Sequence, residues 1–375
     1  MKPFKKYHIS IGSNIGDRLQ NLQNAIDLIH LEISIVSSIS SVYRTNAVGF
    51  KGDYFYNICI SFFSNDDHNN VMNSLLDIEK KLGRIRGSNN VYESRVIDLD
   101  MLLIEDEIVN NNLLTIPHPS MHLREFVLIP LNDIDPNINH PIFNKNSIEL
   151  LKLCEGNNKV EKIKDKLSNP KDKFNISNFK YIAIEGNIGA GKSSLAKMIS
   201  VDFNSKLILE RFADNPFLPK FYEEPDRYAF TLEMSFLAER YQQITDDLSQ
   251  LNIFNDSIIS DYDIFKSLIF SKITLSDDEF ALYRKLFFSM YKDILKPDLY
   301  IYLNQNVDRL KENIKKRGRD YEQNIDKKYL NNINSGYLDF HKSQTDLNIK
   351  IIDINDLDFV NNRIDYLSIL SSICE

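Results

Sequence analysis

The apolar positions along the chain follow two rhythms. Alternating or short continuous apolar runs predict strands at 7–12, near 33–45, at 54–64 and at 95–104; three-to-four spacing predicts helices at 18–30 and 68–82, with a short helix near 125–132. Helices set among mainly hairpin-connected strands predict an α+β sandwich. From residue 180 the pattern changes. Strands at 181–185, 206–210, 257–261, 298–303 and 349–353 alternate with helices at 191–200, through 226–250, and at 277–294, 307–317 and 326–340. That alternation predicts a parallel sheet covered on both faces. Between the two patterns, residues 155–178 are charged, contain Pro170 and lack an apolar face. The expected layout is a domain over 1–158, a linker over 159–178 and a second domain over 179–375.

Composition narrows the partners. The 375 residues are 43% hydrophobic, enough for two cores, and the formal net charge of −8 argues against a general nucleic-acid binder. Phosphate must then be met by local basic clusters. Cys59, Cys154 and Cys374 are too scattered for a disulfide framework or a metal knuckle. The amino terminus lacks an apolar h-region and no segment approaches a membrane span, so a cytoplasmic protein is expected. The frequent asparagines read as turn composition.

"SRVIDLDMLLI" (Ser94–Ile104) carries Asp98 and Asp100 inside an apolar strand. Residues two apart share a face, which puts the carboxylates about 7 Å apart along the chain. Like charges in an apolar setting need a cation between them. Arg84, Arg86 and Arg95 lie upstream or adjacent, and His118, His122 and Arg124 follow downstream. Carboxylates facing several guanidiniums point to a metal–polyphosphate site, since Mg²⁺ takes carboxylate and phosphate oxygens and arginine forks match phosphate. A surface ion-pair network is the plainer alternative.

This segment resembles the 6-hydroxymethyl-7,8-dihydropterin pyrophosphokinases. The resemblance runs over roughly 7–140: "IGSNIGDR", "VYRTNAVG", "DYFYN", "GRIR", "RVIDLDMLL" and "IPHPSM" appear in the family's order. It implies a ferredoxin-like α+β fold, ATP, and two Mg²⁺ held by Asp98 and Asp100. The pterin hydroxymethyl oxygen would attack the β-phosphorus and release AMP. By the same resemblance, Arg86, Arg95, His118 and Arg124 would hold phosphates. Thr45, Val48, Phe55, Asn57 and Phe126 would form the pterin pocket. Two departures stand out: Asn46 and Ala47 replace a proline pair, and Tyr92 replaces a tryptophan.

"GNIGAGKS" (Gly186–Ser193) fits the phosphate-binding loop pattern after an apolar strand and before a helix. Gly186, Asn187, Ile188, Gly189, Ala190, Gly191, Lys192, Ser193 and the following Ser194 are the expected ATP-binding set. Lys192 supplies a point charge, Ser193 a hydroxyl for one Mg²⁺, and the helix amino terminus its dipole. In an open parallel sheet the acceptor groups belong at neighbouring strand ends. Glu210 is there as a candidate base, and Asp261 as a candidate Mg²⁺ partner.

"NPFLPKFYEEPDRYAFTLEMSFLAERYQQI" (Asn215–Ile244) and "IKKRGRDYEQNIDKKYL" (Ile314–Leu330) resemble the deoxyribonucleoside kinases, the likeness covering about 180–355. It implies γ-phosphoryl transfer to a 5′-hydroxyl, with Glu210 as base. Tyr222 and Glu322 would hold the 3′-hydroxyl, Arg317 and Arg319 would close over the phosphates, and Arg240 would sit by the base. Three departures bear on function. Glu233 replaces a glutamine: ionised, it suits a base presenting N–H donors, such as guanine at N1 and its amine or adenine at its amine, and it would fit cytosine N3 or adenine N7 only if protonated. "DYD" lacks the family's arginine after the middle strand, for which Arg211 is a candidate substitute. Asn313 replaces the first lid arginine.

The expectation is a bifunctional ATP-dependent transferase acting on a dihydropterin and a deoxynucleoside, deoxyadenosine before deoxyguanosine. A homodimer through the kinase domain is implied by the resemblance. An inactive first domain, or a P-loop switch protein, are the alternatives.

Overall fold

Apolar alternation brings Lys5–Ser13, Phe55–Ser64 and Asp98–Ile104 together as the antiparallel centre of a sheet in the computed structural model. The structure describes residues 2–84, 93–154, 159–211, 215–249, 257–292 and 294–375. They divide into two units, Met1–Phe174 and Asn175–Glu375.

In the first unit the strands run in the order Glu161–Lys162, Tyr43–Thr45, Phe55–Ser64, Lys5–Ser13, Asp98–Ile104, with Val36–Ile39 also paired to Phe55–Ser64. Helices Arg18–Glu32 and His68–Lys81 cover one face. Each starts at an aspartate whose side chain accepts from the first turn, Asp17 from Gln20 and Asp67 from Asn69. Leu22, Ile26, Ile29, Leu75 and Ile78 pack there on Ile9, Ile11, Ile58, Leu99 and Met101. Helix Glu125–Ile134 packs on the opposite face against Cys59, Leu102 and Leu103. Because strand side chains alternate, Leu99 and Met101 enter the two-helix core while Asp98 and Asp100 face away from it.

The stretch read as a linker differs from expectation. Glu161–Lys162 pairs with Tyr43–Thr45, Ile163 N donates to Val42 O at 2.9 Å, and Asn169 Nδ2 donates to Val36 O at 3.0 Å. Ile163 and Leu167, one helical repeat apart, rest on the first core. Their apolar signal is masked in the sequence by the lysines and aspartate around them.

In the second unit five parallel strands run in the order Lys206–Ile208, Ile258–Ser260, Tyr181–Gly186, Leu299–Asn304, Ile349–Asp353. Tyr181–Gly186 is central and buried throughout, as the apolar run of residues 181–184 predicts. Three α-helices among the described residues of this unit escaped the pattern reading: the six-residue Leu218–Glu223, Lys266–Thr274, which opens with a charged residue that is buried, and Arg363–Cys374, whose apolar residues are broken by serines.

One buried charge ties the central strand to its neighbours. Glu185 is fully buried; its Oε1 accepts from Asp263 N at 2.7 Å and its Oε2 from the Tyr337 hydroxyl at 2.7 Å. Tyr337→Phe keeps the ring and removes one partner of a buried carboxyl, an expected loss of about 1–3 kcal/mol from the second unit. Native-state hydrogen exchange should show weaker protection of Tyr181–Gly186 amides, with Lys5–Ser13 unchanged.

Candidate active sites

The face of the first sheet that carries Asp98 and Asp100 opens into a cavity of about 630 Å³. Asp98, Asp100, Arg95, His118, Arg124, Thr45, Val48, Phe55, Asn57 and Phe126 all line it. Arg86 and Tyr92 lie outside the described residues. At the inner end Asn57, 4% exposed, donates from Nδ2 to Thr45 Oγ1 at 2.8 Å. Gly12 pairs in register with Asn57 on one side and Asp98 on the other, and a Cβ there would come within 3.1 Å of Asn57 Oδ1. The glycine keeps the polar floor open between the amide and the carboxylate.

Cations already answer Asp98. Arg95 Nη1 donates to its Oδ2 at 2.7 Å, and Arg84 Nη1 bridges its Oδ1 to Glu79 Oε1. Glu79, 2% exposed, also accepts from Leu99 N at 2.8 Å. The Asp100 carboxyl is pushed up to about 7 by burial and by Asp98, against the pull of Arg124 and Arg95. Such a carboxyl lacks the positive charge it would need to ionise readily. Asp98 and Asp100, lining the cavity with the guanidiniums of Arg95 and Arg124, are oxygen donors of the kind Mg²⁺ takes alongside phosphate; among the described residues no group of three or more His, Cys, Asp or Glu converges.

His118 stands beside them with Nδ1 accepting from Ser120 N at 3.2 Å, which leaves Nε2 as the protonated nitrogen. Burial and then Arg124 hold its pKa down at about 4, so it is a neutral N–H donor near neutral pH. His122 instead packs on the Phe143 ring at 4.6 Å and is not in the cavity wall. Sequence reading placed Arg84 only among the guanidiniums facing the carboxylates, without its bridge to Glu79, and missed Glu79. A glutamate on the buried face of the helix beside Val71, Leu75 and Ile78 was the available signal.

In the second unit the glycine loop leaves the central strand and enters helix Lys192–Asp202. Gly189 and Gly191 have φ of 85° and 87°, and a Cβ on them would meet Leu310 O at 2.9 Å and Phe359 at 2.7 Å. Glycine is required at both points. Lys192 Nζ donates to Gly186 O and Asn187 O at 3.0 Å each. Burial and the nearby Lys266 lower its pKa to about 8. Asn187 Nδ2 donates to Leu330 O at 2.8 Å, and Asn313 Nδ2 donates to Gly189 O at 2.9 Å. The residue that replaces a lid arginine thus fastens the lid helix Val307–Arg317 to the loop.

Ile188, Lys192, Ser193, Glu210, Tyr222, Glu233, Arg240, Asp261, Arg317, Arg319 and Glu322 converge on a second cavity of about 110 Å³. Gly186, Asn187, Gly189, Ala190, Gly191 and Ser194 build the loop and helix start without lining that cavity. Ser193 Oγ donates to Asp261 Oδ2, while Asp261 Oδ1 accepts from Glu210 N at 2.7 Å. A hydroxyl and a carboxylate already in contact next to the loop are the donor set that a single Mg²⁺ would need.

Glu210 sits between two cations. Its Oε1 accepts from Arg240 Nε at 2.8 Å and Nη2 at 2.7 Å, and its Oε2 from Lys266 Nζ at 2.5 Å. Burial alone would raise its pKa, but Lys266 and Arg240 outweigh burial and hold the carboxyl down at about 2. Arg211, the residue expected to replace the missing arginine, is exposed and outside the cavity wall. The second cation beside Glu210 is Lys266. It comes from the unpredicted helix, one residue into its first turn, so spacing from "DYD" could not reveal it. Across the cavity, Glu322 is held by Arg317 on Oε2 and by Arg319 Nη1 at 3.2 Å on Oε1. Tyr222 stacks on Tyr321 with ring centres 6.1 Å apart.

Comparison with known proteins matches these two cavities to two families. The model of 7,8-dihydro-6-hydroxymethylpterin-pyrophosphokinase matches residues 8–136, and that of deoxynucleoside kinase residues 182–375. A deoxyguanosine kinase of Bacillus subtilis is 36% identical over 199 residues, spanning 52% of this chain and 96% of that relative. A deoxyadenosine kinase of Dictyostelium discoideum is 32% identical over 186 residues, 48% of this chain and 74% of the relative. A 2-amino-4-hydroxy-6-hydroxymethyldihydropteridine pyrophosphokinase of Aquifex aeolicus is 33% identical over 139 residues, 37% of this chain and 85% of the relative. The chain is therefore an enzyme that belongs to the dihydropterin pyrophosphokinases through its first unit and to the deoxynucleoside kinases through its second.

Proposed function

We propose that each unit uses ATP for a separate transfer. The first moves a pyrophosphoryl group to 6-hydroxymethyl-7,8-dihydropterin. The second moves the γ-phosphoryl group to the 5′-hydroxyl of a deoxynucleoside, a purine, with deoxyadenosine ahead of deoxyguanosine. The observation that carries this reading is that each cavity is lined together by carboxylates, by cations paired with them and by aromatic rings: Asp98, Arg84, Arg95, Phe55 and Phe126 in the first, and Glu210, Arg240, Lys266, Tyr222 and Phe236 in the second.

In the first cavity Asp98 and Asp100 would hold two Mg²⁺, and the metals would supply charge to the attacking and leaving oxygens. Arg95, Arg124 and the neutral His118 hold phosphate oxygens. Arg84 keeps Asp98 satisfied until those cations arrive. Asn57 and Thr45 take the polar edge of the pterin, while Phe55 and Phe126 offer ring faces. The strand order, with two strand–helix–strand crossovers in one antiparallel sheet, supports the ferredoxin-like reading.

In the second cavity the low pKa of Glu210 favours a late proton transfer. Its carboxylate orients the 5′-hydroxyl by accepting its hydrogen bond, and the proton follows once phosphoryl transfer is advanced, as a loose transition state allows. Lys192 and Lys266 stand where charge develops on the transferred group, and Ser193 with Asp261 would hold Mg²⁺. Arg317 and Arg319 would turn from Glu322 toward the phosphates, and Tyr222 with Glu322 would take the 3′-hydroxyl. Helix Asp277–Tyr291 exposes Leu282 and Leu286, one turn apart on the same side, which supports pairing with a second copy through this unit. The absence, among the described residues, of a helix long and apolar enough to cross a membrane is compatible with a cytoplasmic setting.

Assays on the full chain test the two halves separately. AMP should appear only with the dihydropterin, and Asp100→Asn should cut that rate by about a hundredfold or more while leaving nucleoside phosphorylation intact. No AMP from the parent would remove the first activity. Lys266→Met should lower kcat for deoxyadenosine by about 10²–10³ with ATP binding retained. A kcat equal to the parent's would take Lys266 out of the reaction.

A further inference from the structure

Glu233 lines the second cavity and is 2% exposed, and its Oε2 has no hydrogen-bond partner among the described residues. Its Oε1 lies 3.0 Å from Thr274 Oγ1, and Thr274 Oγ1 lies 3.0 Å from the Phe270 carbonyl oxygen. Two acceptors thus compete for one hydroxyl hydrogen if Glu233 is ionised. With a proton on Oε1 the conflict disappears. Glu233 then donates to Thr274, and Thr274 donates to Phe270.

The charges around Glu233 give the same assignment. Arg240, two turns further along its own helix, directs Nε and Nη2 at Glu210 and Nη1 at Ser267 Oγ, 2.8 Å away. Lys266, from the helix that also carries Thr274, is paired with Glu210 as well. From helix Asp277–Tyr291, the Tyr283 hydroxyl donates to the Glu233 main-chain carbonyl at 3.3 Å. From helix Lys327–Ser343, Tyr329 adds a neutral phenol to the cavity wall. Both nearby cations are committed to Glu210, whose own negative charge opposes a second one. Burial, first, then leaves Glu233 raised to about 7 despite Arg240, Thr274 and Lys266.

We infer that Glu233 reads the nucleobase as a neutral carboxylic acid, its Oε1–H donating to Thr274, whose hydroxyl in turn donates to the Phe270 carbonyl, and its bare Oε2 accepting an N–H from the base. This rests on the reading of the cavity as a deoxynucleoside site. Adenine offers such a donor at its exocyclic amine, and guanine at N1 and its amine. An ionised Glu233 would face the base with an undercompensated charge once water is displaced. Raising the pH above about 7 ionises the group, so binding that requires the neutral form weakens on the alkaline side.

Steady-state kinetics on the full chain with deoxyadenosine, from pH 6 to 8.5, tests this. In the parent, KM should rise several-fold on the alkaline side. Glu233→Gln copies the neutral acid, its amide donating to Thr274 and its carbonyl facing the base, so its KM, whatever its value at pH 6, should change by less than twofold across the range. Parallel KM profiles for parent and Glu233→Gln would overturn the inference. A difference infrared spectrum, parent minus Glu233→Gln at pH 6, gives a second readout that needs no turnover. A protonated-carboxyl band lost in the variant supports the assignment, and its absence overturns it. A parent that phosphorylates no deoxynucleoside would instead defeat the nucleoside-site reading, while the infrared band still decides where the proton sits.

Discussion

A carboxylate withdrawn from water has to be met by a cation, a hydrogen bond or a proton, and this demand shapes both cavities. Asp98 is met by Arg84 and Arg95, and Glu210 by Arg240 and Lys266. Those pairings leave Asp100 and Glu233 short of positive charge, and both are raised to about 7. The two groups occupy different chemical positions. Asp100 stands beside a second carboxylate at the mouth of a phosphate-sized space, where a metal ion would relieve it. Glu233 stands alone among aromatic rings, where a proton does.

The same demand links fold to site. Strand alternation sends Leu99 and Met101 into the first core and Asp98 and Asp100 into the cavity, so burying one face creates the other. In the second unit the parallel sheet brings the glycine loop, Glu210 and Asp261 together at the carboxyl ends of three neighbouring strands. Each site is fixed by residues that its own sheet would have to carry in some form.

Most of the two sites was legible because their residues lie in short, spaced motifs next to strong strand signals. Asp98, Asp100, Lys192, Ser193 and Glu210 are of that kind. What stayed hidden came from elements with weak signals. Lys266 belongs to a helix whose buried positions include Lys266, Ser267 and Ser271, so no apolar stripe announces it. Glu79 looks like one more charge on an amphipathic helix until the fold turns it inward. The strand Glu161–Lys162 lies in a run of lysines that reads as linker. Lys266 and Glu79 are buried because Glu210 and Arg84 answer them, and periodicity does not record such pairs.

The central claim is that each unit binds its own ATP through its own charged cavity. Calorimetric titration of the full chain with Mg²⁺ and a non-hydrolysable ATP analogue tests it most directly. Two sites per chain are expected; Lys192→Ala should remove one, and Asp98→Asn with Asp100→Asn the other. A single site in the parent, or two sites that both vanish on Lys192→Ala, would contradict it.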